Sequence, residues 1–156
     1  MGTIRVQKHI QAPVEAVFDY TSDFEHAAQR IEAIQEVEML TPGPIGVGSR
    51  FKETRIVFKK SASETMEVVE FDRPHRYALT ASSCGNHYLT SFNFKEKEGG
   101  TEIEVVFEST PETFMAKLMS PLMAMMSKTL IKMFMKDLED IEEALLADGK
   151  GGDARI

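Results

Sequence analysis

The sequence predicts an α+β fold: a curved seven-stranded antiparallel sheet wrapped around a long C-terminal helix, with two short helices between strands one and two. Three observations predict it. Six consecutive β-patterned segments, within residues 34–109, are joined by connections too short for parallel crossovers, so neighbours must pair antiparallel. A seventh β-patterned segment precedes them, separated by two short helical patterns. The last apolar stretch, residues 111–147, holds seven of the ten methionines and repeats apolar residues every three or four positions, which marks one face of a helix.

Residues 3–10 alternate, with Ile4, Val6 and Ile10 on one side and Arg5, Gln7 and His9 on the other. Ala12-Pro13 ends that strand, and proline suits the first turn of the helix that follows, whose inner face carries Val14, Val17 and Phe18. Ser22-Asp23-Phe24-Glu25 has capping-box spacing, so a second short helix is expected from there towards Arg30. Strand two begins at Ile34, where Val37 and Met39 alternate with Glu36 and Glu38. The Gly- and Pro-rich residues 41–48 form a connection. Strand three is expected over 49–59, a polar turn over 60–63, and strand four over 64–71, with a parity that cannot be oriented. Strands five, six and seven follow at 76–83, 87–97 and 101–109, separated by the Gly85-Asn86 and Glu98-Gly99-Gly100 turns. In strand seven, Ile103, Val105 and Phe107 face inward and Glu102, Glu104 and Glu108 face water. Thr110-Pro111 then opens the last helix. Its apolar face carries Phe114, Leu118, Leu122, Met126, Leu130, Met133/Phe134, Leu138, Ile141 and Leu145. Pro121 either kinks this helix or divides a short lead-in helix from a main one. One domain is expected over residues 1–147, with a fraying tail at 148–156.

The chain has 156 residues, 42% hydrophobic and 28% charged, with a formal charge of −7. That balance argues against a nucleic-acid or anionic-membrane partner, since both need clustered Lys and Arg. The late carboxylates Glu139, Asp140, Glu142, Glu143 and Asp148 read as a solvated helix face, and Lys117, Lys128, Lys132 and Lys136 as the solvent side of the last helix. Those lysines and Pro121 make the helix a poor membrane span, so no integral membrane association is expected. One cysteine, Cys84, permits no internal disulfide and no cysteine-based zinc motif, and it reads as structural or incidental. With no apolar signal core at residues 1–5, a cytoplasmic location is expected.

Certain words occur in order along the chain: Ile10-Gln11-Ala12-Pro13-Val14-Glu15-Ala16-Val17-Phe18, then Pro42-Gly43-Pro44-Ile45-Gly46-Val47-Gly48-Ser49-Arg50-Phe51, then Glu70-Phe71-Asp72-Arg73-Pro74-His75-Arg76-Tyr77, and the closing helix over 121–146. They resemble the START-like, or SRPBCC, superfamily, which includes birch-pollen-allergen-type proteins, polyketide cyclases and dehydrases, and lipid-transport-like proteins. The resemblance covers about residues 3–147 and implies a helix-grip fold with a cavity between sheet and helix. It does not select a function, because that scaffold hosts carriers, receptors, cyclases and co-chaperones. Many relatives place a tryptophan near the end of the second short helix; this chain has none, so residues 26–34 must pack differently.

No strong catalytic motif is present, and no catalytic residue, metal site or cofactor is assigned. His9, His26, His75 and His87 are scattered without metal-ligand spacing, and His9 and His75 read as surface residues. Residues 43–48 precede a strand rather than a helix and are not a phosphate loop. If Tyr88, Thr90, Phe92 and Phe94 face the cavity, His87 faces out. On strand three, Glu53, Arg55 and Val57 share parity with Phe51, so if Phe51 points inward the other three do too. Glu53 and Arg55 then pair with each other or orient a ligand; alternatively the strand twists there and both are solvated. Tyr77 and Tyr88 are candidates to hydrogen-bond a guest, being apolar in body and polar at the tip.

The expected function is binding of a hydrophobic small molecule of lipid, polyketide, isoprenoid or quinone type. The expected lining is Phe18, Phe51, Glu53, Arg55, Tyr77, Tyr88, Phe92, Phe107, Met119, Met123 and Met126. Methionine suits such a wall because it is unbranched and polarizable. Two alternatives stay open: a polyketide-cyclase-like enzyme using Glu53, Arg55, Tyr77 or Tyr88 as acid–base groups, and a protein-interaction module, a homodimer included, working through the methionine-rich helix.

Overall fold

The alternation of strand seven orients one end of the sheet, where it is an interior strand with a neighbour on each side. In the computed structural model, which describes residues 2–57, 59–83, 85–119, 121 and 125–149, β7 (Gly100–Pro111) pairs with β1 (Gly2–Ile10) on one side and with β6 (Asn86–Lys97) on the other. The sheet continues through β5 (Arg76–Ser83), β4 (Lys60–Asp72) and β3 (Arg50–Val57) to β2 (Ile34–Met39), in the order β1-β7-β6-β5-β4-β3-β2, every pair antiparallel. The first and second strands of the chain are therefore the two edges. Two short helices bridge them: α1 (Val14–Thr21), and a 3-10 turn (Phe24–His26) running into α2 (Ala27–Arg30). After β7 come a short α3 (Phe114–Leu118) and the long α4 (Ser127–Ala147).

Alternation decides which side chains meet α4. Ile103 and Val105 of β7 and Val6 and Ile10 of β1 are buried with Leu138, Ile141 and Leu145 of α4. Under α1 the core is aromatic. Phe18 packs edge-on against Phe71, Tyr77 and Phe94, with centroids 5.1–5.7 Å away. Tyr77 stacks on Phe92 at 4.6 Å, and Phe24 on Phe51 at 4.5 Å. Each such pair adds about 0.5–1.5 kcal/mol beyond its buried area.

Several expectations are corrected. The long helix does not begin at Pro111: β7 runs through that residue, and α4 starts only at Ser127. A short helix thus precedes the main one. Phe114 and Leu118 fit the helical period but are 78% and 61% exposed, because α3 lies beyond the last strand rather than on the sheet. Leu122 and Met123 lie outside the described residues, as do Cys84 and residues 150–156. Residues 60–63 belong to β4: Ser63 and Thr54 hydroxyls meet at 2.7 Å across the β3–β4 ladder, and Ser61 donates to Gln35. The ambiguous parity of strand four has a cause. A bulge between Val68 and Glu70 shifts register, so Met66 and Val68 face inward before it and Phe71 after it. No side-chain cap forms at Ser22-Asp23; Asp23 instead holds His26, whose Nδ1 lies 2.9 Å from Oδ1. Asp140 is buried rather than solvated. It accepts the Glu32 backbone N–H at 3.0 Å and pairs with Lys136, tying α4 to the second residue after α2.

Candidate functional site

A concave sheet facing one helix leaves space that side chains do not fill, and two adjoining cavities lie there. The larger, about 240 Å³, occupies the end of the sheet where β3 turns into β4 and β5 into β6. Val57 and Ala62 come from the first turn's flanks, Ala81 and Tyr88 from the second's. Met126, Leu130, Met133 and Phe134 close it from the helix side, and Phe107 from β7. The smaller, about 120 Å³, lies towards α2 and is walled by Phe24, Ile31, Phe51, Tyr77, Phe92, Leu138 and others. Glu53, Arg55, Met66, Leu79, Thr90 and Phe134 line both, so they form the waist between them. Together the two spaces reach the lower end of the roughly 300–1,000 Å³ usual for ligand pockets.

The waist carries charge inside an apolar wall. Because Phe51 points in, Glu53 and Arg55 point in as well: Glu53 is 8% exposed. Arg55 Nη2 contacts Glu53 Oε1 at 3.2 Å and Asp137 Oδ2 of α4 at 3.0 Å, so the solvated alternative for this pair does not hold. Asp137 is the functional candidate that sequence reasoning missed. It sits three or four residues from Met133, Phe134 and Ile141, a carboxylate within the apolar stripe, and that placement was the available signal. Glu64, half-buried on β4, also faces the larger cavity.

Burial governs the titration of these groups. Desolvation pushes the Asp137 carboxyl up from 3.8 to about 6; Arg55 opposes the shift and Glu53 reinforces it. Glu64 is raised too, by burial and then by Glu53, against the pull of Arg55. For Arg55, burial favours loss of the proton, but Glu53 and Asp137 reverse this and leave it above its ordinary value. Two atoms are left over: Arg55 Nη1 and Asp137 Oδ1 are buried and have no hydrogen-bond partner among the described residues. A buried unsatisfied donor or acceptor costs about 1–3 kcal/mol, more when charged.

The expected lining residues fall into distinct places. Tyr88, Phe107 and Met126 line the larger cavity, with Tyr88 stacked on Phe107 at 5.3 Å. Phe51, Tyr77 and Phe92 line the smaller one, and Glu53 and Arg55 line both. The Tyr77 hydroxyl is already engaged: it donates to the Thr21 carbonyl at 3.2 Å, and burial holds its pKa well above the ordinary value. It is a wall rather than a free polar tip. Phe18 is fully buried in the aromatic core and borders neither cavity. Met119 is exposed at the end of α3, and Met123 is outside the described residues. Among the described residues no three His, Cys, Asp or Glu side chains gather as a metal site. No described helix is long and apolar enough to cross a membrane.

A family model described as polyketide cyclase / dehydrase and lipid transport matches residues 1–145. Among solved structures, Ara h 8.0201 superposes with a TM-score of 0.75 at 19% identity, over 94% of this chain and 98% of that one. Major latex-like protein 151 from Panax ginseng gives 0.71 at 12%, over 92% and 96%. The di-domain ARO/CYC StfQ of the steffimycin biosynthetic pathway gives 0.67 at 9%, over 90% of this chain and 49% of that one. At these identities the likeness shows the fold. Among curated proteins, none matches the sequence.

Proposed function

The chain belongs to the polyketide cyclase/dehydrase and lipid transport family, and from that premise we propose that it binds a hydrophobic small molecule between the sheet and α4. The molecule is of lipid, polyketide, isoprenoid or quinone type and carries a hydroxyl or similar polar group. One observation carries this reading: two adjoining cavities with apolar walls meet at Arg55, and Arg55 Nη1 and Asp137 Oδ1, buried on residues that line the smaller of them, have no hydrogen-bond partner among the described residues. A hydroxyl accepts from one and donates to the other, while its apolar body fills the space beside Phe107, Phe134 and Leu130. Hydrogen bonds to charged groups are worth about 1.5–3 kcal/mol, so the polar end selects the guest and the apolar body supplies most of the affinity.

The test compares matched ligands. Calorimetric titration with a medium-chain alcohol and the alkane of equal length gives tighter binding of the alcohol by roughly 10- to 100-fold, a preference lost in Arg55→Met. Absence of saturable binding by either compound, or equal binding of both, contradicts the reading.

One observation favours a second reading, an enzyme of the cyclase type. Asp137, with its carboxyl held at about 6, lines the smaller cavity next to the Arg55 guanidinium. A group with a pKa near the working pH is suited to proton transfer. Asp137 would take a proton from a methylene between two carbonyls, and the resulting carbanion would attack a third carbonyl carbon and open its C=O π bond. Arg55 would stabilise the oxygen that becomes negative, and Asp137 would return its proton to that oxygen to give the hydroxyl. Cyclisation of a poly-β-ketone model compound, abolished by Asp137→Asn, supports this; no turnover above the uncatalysed rate removes it.

A further inference from the structure

The overall charge of −7 conceals a segment of opposite sign. Residues 113–136 contain Lys117, Lys128, Lys132 and Lys136 and no Asp or Glu. Among the described residues the lysine ion pairs are Lys8–Glu142, Lys97–Glu102 and Lys136–Asp140, so Lys117, Lys128 and Lys132 are exposed without one. Beside them in the same segment the chain displays large apolar side chains to solvent: Phe114 at 78%, Met115 at 63%, Leu118 at 61% and Met125 at 80% exposure. Lone exposed hydrophobics are ordinary; several in one short segment mark a contact surface.

The position of α3 adds to this. Glu112, the carboxylate that precedes the segment, donates its backbone N–H to Gly85, at the β5–β6 turn. A Cβ at Gly85 would come within 3.3 Å of Ala116 on α3. The α3 segment therefore sits on that turn. The β3–β4 turn, with Lys59 and Lys60 exposed, lies at the same end of the antiparallel meander. It is also the end that the larger cavity occupies.

We propose that this end of the molecule, built from Phe114, Met115, Leu118, Lys117 and Lys128, docks on an anionic lipid bilayer. The apolar side chains enter the headgroup boundary and the lysines meet acidic headgroups. A segment of exposed apolar side chains and lysines with no Asp or Glu within it is the composition of an interfacial element, and a protein partner of ordinary charge would not require the acid-free run. Docking through this end sets the larger cavity beside the membrane, where an apolar guest could pass without crossing bulk water. The surface goes beyond the binding reading and does not depend on it, since an empty cavity leaves these side chains in place.

Vesicle flotation tests it, with phosphatidylcholine vesicles and vesicles of phosphatidylcholine mixed with phosphatidylglycerol. The full chain floats with the anionic vesicles at low salt and stays behind with the neutral ones. Phe114→Ser with Leu118→Ser abolishes flotation. Lys117→Gln with Lys128→Gln weakens partitioning on the order of fivefold for each lysine, and raised salt does the same to the unaltered chain. All these side chains are exposed, and unchanged melting of both variants shows that the fold is intact. The proposal is overturned if the chain ignores anionic vesicles, if both variants float as well as the unaltered chain, or if the serine variant instead abolishes a concentration-dependent dimer.

Discussion

Arg55 on β3 meets Asp137 on α4 at 3.0 Å, an ion pair that ties the sheet to the gripped helix at the waist of the cavity. Arg55 also holds Glu53 at 3.2 Å, so one guanidinium balances two buried carboxylates. Removing it leaves both uncompensated. Arg55→Ala is expected to lower stability by about 3–5 kcal/mol in denaturant unfolding. Adding Glu53→Gln and Asp137→Asn should recover part of that loss, because neutral amides need no counter-charge. A loss below about 1 kcal/mol would mean that the cluster is well hydrated.

The pH dependence follows from Asp137. Its folded pKa, about 6, lies above the unfolded value near 3.8, so the folded state holds this proton more tightly. The contribution favours folding fully below the unfolded pKa and is lost as pH rises through about 6. Two units correspond to about 3 kcal/mol. Asp137→Asn should therefore flatten the stability profile between about pH 4 and 6 relative to the unaltered chain, read from unfolding curves across that range. Parallel profiles for the two proteins would count against a buried, proton-holding Asp137.

How much of this was legible varied with the kind of signal. Strand parity carried well in β7, oriented by the alternation of Ile103 and Val105; on β3 it left Glu53 and Arg55 either inward with Phe51 or solvated, and the contacts of Arg55 with Glu53 and Asp137 decide between the two. Helical spacing carried less, because it reports a face and not its depth. Phe114 and Leu118 keep the period of α4, yet they belong to a separate short helix outside the sheet. The β4 bulge erased the parity signal altogether, as a register shift must. Asp137 and Asp140 were hidden by their neighbours. In a run of acidic residues, only the angular position on the helix separates a buried carboxylate from a solvated one, and both sit on the side that faces protein.

The space between sheet and helix makes its own prediction. Ala81 borders the larger cavity, so Ala81→Phe has room to enter it. Stability should change by less than about 1 kcal/mol, against the roughly 1–3 kcal/mol of overpacking a filled core. Affinity for a bulky apolar ligand should fall at least tenfold in a fluorescence displacement titration. A large destabilisation with unchanged affinity would show that the site is already packed.

Gly85 tests the seat of α3. Its φ is +77°, and a Cβ there would lie 2.4 Å from Thr113 Oγ1, the atom that accepts the Ala116 N–H at the start of α3. Gly85→Ala should cost about 1–2 kcal/mol from the left-handed backbone alone. Faster hydrogen exchange at the Ala116 amide is the local readout.

The central claim is that the cavity between sheet and α4 holds a hydrophobic guest with a polar group at Arg55 and Asp137. Native mass spectrometry of the protein purified without detergent, followed by solvent extraction, measures it most directly. The expected spectrum shows the chain with one added apolar molecule bearing a hydroxyl or carbonyl, which is retained in Tyr77→Phe and depleted in Arg55→Met. A spectrum of bare chain that stays bare after incubation with lipid, isoprenoid and polyketide extracts would contradict the account.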